Sequence, residues 1–249
     1  MEDIHKDIFV CLDCETTGLD IENDRIIELA AVQFNFKKNF SHFETLINPQ
    51  IEISSSSQAI HNISAEMVKN QPTIDLILPK FFEFIDNLII VGHGIEFDIN
   101  ILLQEARRHH IPCLLQKSKY IDTLRLARLY GESPTNSLES LRKHFNIQAE
   151  GAHRAMNDAI VNIEVFKQLS QPFSTTKSLL SRLQKPIILK TMPLGKHNGR
   201  KFTEIPLEYL RWASYQDFDQ DLLFSIRAEI NRRKNQTSFH QASNPFSNL

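Results

Sequence analysis

The sequence predicts an α/β protein in which helices flank a sheet of mixed strand direction. Two observations predict this class. Apolar runs joined by short polar turns fill residues 9–47, and short apolar strands then alternate with helical segments as far as residue 169. Consecutive strands joined by short turns favour an antiparallel meander, whereas strands separated by helices favour parallel pairing. A small α-rich domain is expected at the C-terminal end.

Five stretches have the apolar character of strands. The first begins at Phe9 and ends in the polar residues Asp13 to Gly18, which a core strand does not need. The third stretch ends at Asn48-Pro49, a dipeptide typical of turns. The predicted strands after the first are residues 25–36, 43–47, 88–92 and 120–123.

Apolar residues at helical spacing, together with capping residues, predict the helices. Residues 59–67 read as a loop leading into a short helix, for which Ser64 is the predicted N-cap. The other predicted helices are residues 74–84, 99–109, 124–129, 137–145, 155–169, 177–183 and 219–233.

The composition is that of a globular protein, with 249 residues of which 41% are hydrophobic and 23% charged. No uncharged apolar run approaches the roughly 20 residues that cross a bilayer, and the first residues are too polar for a signal peptide. We therefore expect a cytoplasmic protein with no membrane partner. The net charge is −2, but charge is unevenly distributed along the chain, because residues 186–249 hold nine Lys and Arg against six Asp and Glu.

Three cysteines form no even-numbered disulfide framework. Cys11 and Cys14 form a Cys-x-x-Cys pair, which could indicate a redox site or half of a zinc site. Residues three apart on a strand point to opposite faces, and the sequence has no second Cys-x-x-Cys pair to complete a zinc site. The pattern therefore disfavours both kinds of chemistry.

The first strand ends in two carboxylates, Asp13 and Glu15, that share one face because side chains two apart on a strand point the same way. Their mutual repulsion favours a hard cation such as Mg²⁺ or Mn²⁺ between them. An ordinary polar turn at a strand end is the alternative interpretation, and the pair alone does not decide between the two.

Two distant segments add further carboxylates. Asp98 lies where the strand 88–92 gives way to a helix, a usual ligand position in α/β sheets, and Asp158 lies on the helix 155–169. Four converging carboxylates suffice to hold two Mg²⁺ ions about 4 Å apart. His153, five positions before Asp158, suits a general base because a free imidazole has a pKa of about 6.5.

These segments resemble a known family in both order and spacing. Asp13-x-Glu15-Thr16-Thr17-Gly18, His93-x-x-x-Phe97-Asp98 and His153-x-Ala155-x-x-Asp158 resemble the three motifs of the DEDDh 3′–5′ exonucleases, which include the proofreading epsilon subunit of bacterial DNA polymerase III. The resemblance covers about residues 7–170. It includes weaker features at 25–28, 59–63, 122–124 and 137–138. Gly94 and Asn157 depart from the family pattern, at positions that are not metal ligands.

The resemblance implies a ribonuclease H-like fold and a role for each motif residue. The implied ligands of two Mg²⁺ or Mn²⁺ ions are Asp13, Glu15, Asp98 and Asp158, and the implied catalytic residues are His153 and Glu15. The implied substrate contacts are Thr16, Thr17 and Leu19. His61 is either a substrate contact or a loop histidine with satisfied hydrogen bonds, and Phe97 is expected in the core.

The function that follows is a metal-dependent 3′–5′ exonuclease acting on DNA, which releases nucleoside 5′-monophosphates in proofreading or repair. An exoribonuclease that trims short RNA 3′ ends is the nearest alternative. A non-catalytic nucleic-acid-binding protein is a third possibility, which the intact set of ligands and His153 disfavours.

The predicted domain organisation is an exonuclease domain at 1–170, a linker at 171–185, a small basic domain at 186–234 and a disordered tail at 235–249. Residues 192–212 resemble a small bacterial domain of unknown role, with a Pro-x-Gly-Lys-x-x-Gly motif followed by Ile-Pro-x-x-Tyr-Leu-x-Trp. Its basic residues Lys196, Arg200 and Lys201 could hold phosphates while Tyr209 and Trp212 stack on bases. A basic turn beside a core Trp is the alternative.

A polymerase or a sliding clamp is a further expected partner. Gln241 to Phe246 fits a Gln-x-Ser-x-x-Phe pattern that resembles the clamp-binding peptide of epsilon subunits, and Gln168 to Phe173 fits it equally well. A pattern this short also arises by chance in a tail rich in Gln, Ser and Asn.

Overall fold

A five-stranded sheet with the strand order β3-β2-β1-β4-β5 is the centre of the N-terminal part of the chain. The computed structural model describes residues 3–133, 135–148 and 154–242, with side chains to residue 235. The strands are β1 (Phe9–Thr16), β2 (Ile26–Phe34), β3 (Asn39–Leu46), β4 (Ile89–Gly92) and β5 (Tyr120–Asp122). β1, β2 and β3 pair antiparallel, and β4 pairs parallel with β1 and with β5. The predicted meander and mixed sheet are both confirmed.

Helices follow the strands in an alternating order. The helices are α1 (Ser55–His61), α2 (Ala65–Val68), α3 (Ile74–Ile85), α4 (Glu96–Arg108), α5 (Thr123–Tyr130), α6 (Leu138–His144), α7 (Ala155–Leu169), α8 (Thr176–Leu183), α9 (Leu207–Ala213) and α10 (Gln220–Ala242). The helix α1 was absent from the sequence prediction because its serine-rich sequence has no apolar period. Its N-terminus is capped by Ser54, whose side chain accepts a hydrogen bond from Ser57 N.

Strand β1 divides its side chains between two cores. Phe9 and Cys11 belong to the core beneath α7, whereas Val10 and Leu12 belong to the core formed with α3 and α4. The phenyl rings of Phe9 and Phe166, on α7, lie 5.1 Å apart edge to face. Asp13 and Glu15 continue the Phe9–Cys11 face, so the fold places them on the side of the sheet that α7 covers.

The two cysteines of the Cys-x-x-Cys pair separate as predicted. Cys11 lies in the α7 core, and Cys14 packs against the opposite core. Both are free thiols, and burial raises the pKa of each.

The chain divides between Leu183 and Gln184 into two compact units. The stretch 171–185, which the sequence predicts as a linker, contains α8, and its Leu179 and Leu183 pack into the α7 core of the first unit. Ser174 O also accepts a hydrogen bond from Ile4 N at 3.1 Å. The structure therefore places most of the predicted linker in the N-terminal unit.

The second unit, Gln184–Leu249, has its own buried residues. Among them are Met192, Phe202, Leu210 and Ile226. The backbone of Thr191 pairs with that of Lys201, α9 follows, and α10 packs against α9. Because α10 continues to Ala242, the structure is helical over part of the 235–249 tail that the sequence predicts as disordered.

Candidate active site

Three carboxylates meet where β1 ends beneath α7. The side chains of Asp13, Glu15 and Asp158 each offer an oxygen, and these oxygens all lie within 4.8 Å of one another. The alternation of β1 supplies the first two, and Asp158 projects from the first turn of α7. The structure therefore brings together three of the four predicted metal ligands as one cluster.

Asp98 reaches the same place from the opposite face of the sheet. It lies in the first turn of α4 with 7% of its surface exposed, and its Oδ1 accepts a hydrogen bond from Cys14 N at 3.0 Å. Because Cys14 stands between Asp13 and Glu15, this bond fixes the Asp98 carboxylate beside the cluster. Asp98 is also the largest charged contributor to the raised pKa of Asp13.

Burial and mutual repulsion dominate the electrostatics of these carboxylates. Burial, and then repulsion by Asp158, Glu28 and Asp98, raises the pKa of Glu15 to about 8. Burial raises the pKa of Asp98 to about 7, although the Cys14 N–H opposes the change. Burial and the neighbouring carboxylates raise the pKa of Asp13 well above its usual range. An all-oxygen, negatively charged donor set of this kind fits a hard divalent cation such as Mg²⁺ or Mn²⁺.

A fifth carboxylate, Glu28, was not among the predicted site residues. It stands directly opposite Glu15 in the β1–β2 register and is fully buried. The guanidinium of Arg154 neutralises it, with Nη2 at 2.5 Å and Nε at 3.0 Å from Oε1, and Ala155 N donates to Oε2 at 3.0 Å. Glu28 therefore holds the start of α7 in place. The only sequence signal was its place in the segment 25–28.

A hydrogen-bond network of buried polar side chains connects α7 to the ends of two strands near the carboxylate cluster. His93 Nδ1 lies 3.0 Å from Thr123 Oγ1, and that hydroxyl donates to Asn162 Oδ1 at 2.6 Å. Asn162 is one helical turn beyond Asp158, so the network ties α7 to the ends of β4 and β5. Burial lowers the pKa of His93 to about 4, which keeps this motif histidine neutral at pH 7.

The predicted substrate contacts differ widely in exposure. Leu19 is 85% exposed, whereas Thr16 and Thr17 are buried. The Thr17 hydroxyl donates to Asp24 Oδ1 at 2.6 Å and accepts from Arg25 N, so this side chain supports the turn instead of facing a ligand. Thr16 Oγ1 donates to Gly18 O at 2.6 Å.

His61 is 2% exposed, and its Nδ1 accepts a hydrogen bond from Ile63 N at 3.0 Å. Its Nε2 has no hydrogen-bond partner among the residues that the structure describes. Only one of its ring nitrogens is therefore satisfied. Phe97 packs against the α3–α4 core, as predicted.

Two predicted features fall outside the described residues. His153, the predicted general base, lies in the gap 149–153, immediately before Arg154. Of the clamp-type sequence Gln241 to Phe246, the part from residue 243 onward is also outside.

The alternative clamp-type sequence, Gln168 to Phe173, packs into the first unit and is not an exposed peptide. Leu169 and Ser170 are each 1% exposed, and the Phe173 ring packs edge to face on Tyr130 at 5.7 Å between centroids. Its apolar anchor is therefore part of the fold. A clamp groove would need that anchor to be free.

A family model described as an exonuclease, RNase_T, matches residues 10–166, a range that contains every carboxylate of the cluster. The chain belongs to the RNase_T exonuclease family. A second model, QSregVF_b, matches residues 181–227 and is described as a proposed quorum-sensing-regulated virulence factor. The second unit of this exonuclease is similar to that small family.

Two curated relatives of this exonuclease carry the name DNA polymerase III. DNA polymerase III PolC-type of Caldanaerobacter subterraneus is 39% identical over 159 residues, which are 64% of this chain and 11% of that protein. DNA polymerase III subunit epsilon of Aquifex aeolicus is 33% identical over 159 residues, which are 64% of this chain and 78% of that subunit. The chain thus matches a small part of the PolC-type relative and most of the epsilon subunit.

Solved structures share the fold of this exonuclease. Exonuclease X in complex with 5′ overhanging duplex DNA has a TM-score of 0.56 at 24% identity, over 71% of this chain and 99% of that one. E. coli Exonuclease I in complex with a dA16 oligonucleotide has a TM-score of 0.61 at 16% identity, over 72% of this chain and 43% of that one. The ribonuclease H-like fold is confirmed. In the part of the chain that the structure describes, no helix is both long and apolar enough to span a bilayer.

Proposed function

We propose that this exonuclease hydrolyses DNA from the 3′ end, releases nucleoside 5′-monophosphates and serves proofreading or repair. The observation that carries the proposal is the cluster of Asp13, Glu15 and Asp158 with Asp98 fixed beside it. A fold without catalytic turnover has no need for buried carboxylates that repel one another. The predicted non-catalytic binding protein is therefore disfavoured.

Asp13, Glu15, Asp98 and Asp158 are the residues that would hold two Mg²⁺ or Mn²⁺ ions. Such ions, when bound, stabilise charge on the phosphodiester and lower the pKa of a coordinated water. The fit rests on the chemistry of this site, where the clustered donors of the described residues are carboxylate oxygens and burial, with repulsion between neighbouring carboxylates, raises the pKa values of Asp13, Glu15 and Asp98.

The chain's own residues orient the site. Asp98 is held by Cys14 N, which keeps its carboxylate in register with Asp13 and Glu15. Arg154 and Ala155 are held by Glu28, which fixes the first turn of α7 and with it Asp158. The segment that enters α7 carries His153, for which we propose the role of accepting the proton of the attacking water, as the family motif implies.

DNA as the substrate is supported by the relatives, which are named as parts of DNA polymerase III. Their names also favour a polymerase as a partner of this chain, and a cytoplasmic location fits that setting. The 3′ to 5′ direction rests on the resemblance of the three motifs. An exoribonuclease is the outcome that the experiment must separate from this one.

The test uses the purified chain with Mg²⁺ or Mn²⁺ on DNA and RNA oligonucleotides labelled at either end. We expect a ladder of shortening products from 5′-labelled DNA and immediate release of a labelled mononucleotide from 3′-labelled DNA. RNA should remain uncut, and EDTA should stop the reaction. A ladder from 3′-labelled DNA would contradict the direction, and a ladder from RNA alone would make the chain an exoribonuclease.

A further inference from the structure

The single tryptophan of the chain lies on the surface of the second unit. Trp212 is 53% exposed, although the sequence pattern left a core position open as an alternative. On α9 the buried positions are Leu210 and Ala213, and Trp212 projects away from them. The exposed part of this ring is therefore available for stacking on a ligand.

A basic turn packs against Tyr209, the aromatic residue next to Trp212. The Tyr209 ring is 5.3 Å from Trp212 and 4.4 Å from His197, between centroids. The turn Gly195–His197 fits closely on Tyr209, because a Cβ at Gly195 would come within 3.2 Å of Tyr209 Oη. Gly195 and Gly199 both have a positive φ, so the turn needs its glycines. Lys196 lies within this turn and Arg200 directly follows Gly199, and both side chains are exposed.

We propose that Lys196, Arg200, Tyr209 and Trp212, here called the aromatic-basic surface, bind single-stranded nucleic acid. A base would stack on Trp212 while Lys196 and Arg200 contact the flanking phosphates. Such a combination of an exposed ring and unpaired cations is the usual basis of sequence-independent strand binding. The proposal rests on the proposed function, because the strand it would hold is the substrate of the exonuclease unit.

The charges of the surface complement a polyanion. Lys196 and Arg200 are exposed and form no ion pair within the described part of the chain. By contrast, Arg232 and Arg233 on α10 are both paired with Glu229. The second unit also carries the excess of positive charge in a chain whose exonuclease unit is acidic. A strand repelled by the carboxylates around Asp13 therefore gains affinity from a separate basic surface.

Because Trp212 is the only tryptophan, its own fluorescence reports on this surface in the full-length chain. The experiment titrates the protein in EDTA, which prevents hydrolysis, with an unlabelled single-stranded DNA oligonucleotide. We expect saturable quenching of the emission, reversed by added salt. Absence of quenching, while anisotropy of a labelled oligonucleotide reports binding, would place the strand elsewhere and overturn the proposal.

Variants identify the residues involved. Trp212→Ala should weaken binding measured by anisotropy about fivefold or more, and Trp212→Phe should restore most of it. Lys196→Ala with Arg200→Ala should make the negative slope of log affinity against log salt shallower by about 1.4, as expected for two lost phosphate contacts on a single strand. Matched controls are Phe224→Ala, an exposed aromatic on α10, and the exposed pair Lys190→Ala with Lys234→Ala.

Failure of this proposal and failure of the proposed function give different results. In an Asp13→Asn chain with Mg²⁺, quenching without product formation would support the surface independently of catalysis. Equal loss of affinity in the target and control variants would show that the surface has no specific role. Quenching by a poly-glutamate peptide, with none by DNA, would assign the surface to an acidic protein partner.

Discussion

Glu28 and Arg154 form an ion pair that ties the second strand of the sheet to the start of α7. Glu28 is fully buried, whereas the side chain of Arg154 is 38% exposed. Glu28 stands opposite Glu15 in the sheet register, and Arg154 lies four residues before Asp158. Glu28 therefore adds a carboxylate to an acidic site, and Arg154 supplies the positive charge that balances it.

Removal of Arg154 should cost more than removal of both partners. Arg154→Ala leaves Glu28 buried without a counter-charge, and we expect a loss of about 1–3 kcal/mol in unfolding free energy, reduced from the usual cost because Arg154 is partly exposed. Glu28→Gln in the same chain should recover part of that loss, because the amide still faces Ala155 N. Urea unfolding of the single and double variants measures the coupling. Additive losses would mean that the pair does not stabilise the site.

Asp13→Asn should abolish hydrolysis without unfolding the protein. The change removes a carboxylate that the structure surrounds with others, so the metal-free protein should be at least as stable as the wild type. Glu83→Gln, on the exposed side of α3, is a matched control that should leave activity intact. Full activity of Asp13→Asn at saturating Mn²⁺ would exclude a role for Asp13 in metal binding.

Glu15 should make the metal-free protein less stable as pH rises. Its pKa is about 8 in the fold against an ordinary 4.5, so the folded state holds a proton that the unfolded state releases over this range. Stability from this proton is complete below about pH 4 and lost as pH rises through about 8. The Glu15→Gln variant removes the effect. In EDTA its Tm should exceed that of the wild type by more at pH 8 than at pH 5.

Addition of Mg²⁺ should remove the loss of stability that the wild type shows between pH 5 and pH 8, because a bound cation favours the ionised carboxylates. A Tm gap between Glu15→Gln and the wild type that stays constant from pH 5 to pH 8 would show that Glu15 does not titrate in this range.

Protonation of His153 should cause the rate of hydrolysis to fall at low pH. A base that must be neutral to accept a proton loses function as it protonates, so the rate should fall below about pH 6 to 7. His153→Ala should lose roughly 10²-fold or more in kcat. His144→Ala, on α6, is a control that should keep both rate and profile. An unchanged pH profile in His153→Ala would assign the general base elsewhere.

The sequence predicted the fold and the carboxylates through local patterns. Alternation along β1 placed Asp13 and Glu15 on one face, and the structure shows that this face meets α7. The motif spacing identified Asp98 and Asp158, which the sheet then brings together.

Features that depend on distant pairing were not visible in the sequence. Glu28 and Arg154 are 126 positions apart, and only the strand register shows that Glu28 stands opposite Glu15. Thr17 looked available to a ligand, but its hydroxyl completes the turn with Asp24. The exposure of Trp212 was undetermined because amphipathic spacing alone cannot tell which of two apolar sides of a short helix is covered.

We propose that the carboxylates around Asp13 hold the divalent ions on which hydrolysis depends. Direct titration of Mn²⁺, followed by electron paramagnetic resonance of the free ion, tests it without reference to any substrate. We expect about two bound ions per chain, as in a two-metal site, and loss of at least one in Asp158→Asn but not in Glu83→Gln. Equal Mn²⁺ binding by the wild type and Asp158→Asn would contradict the claim.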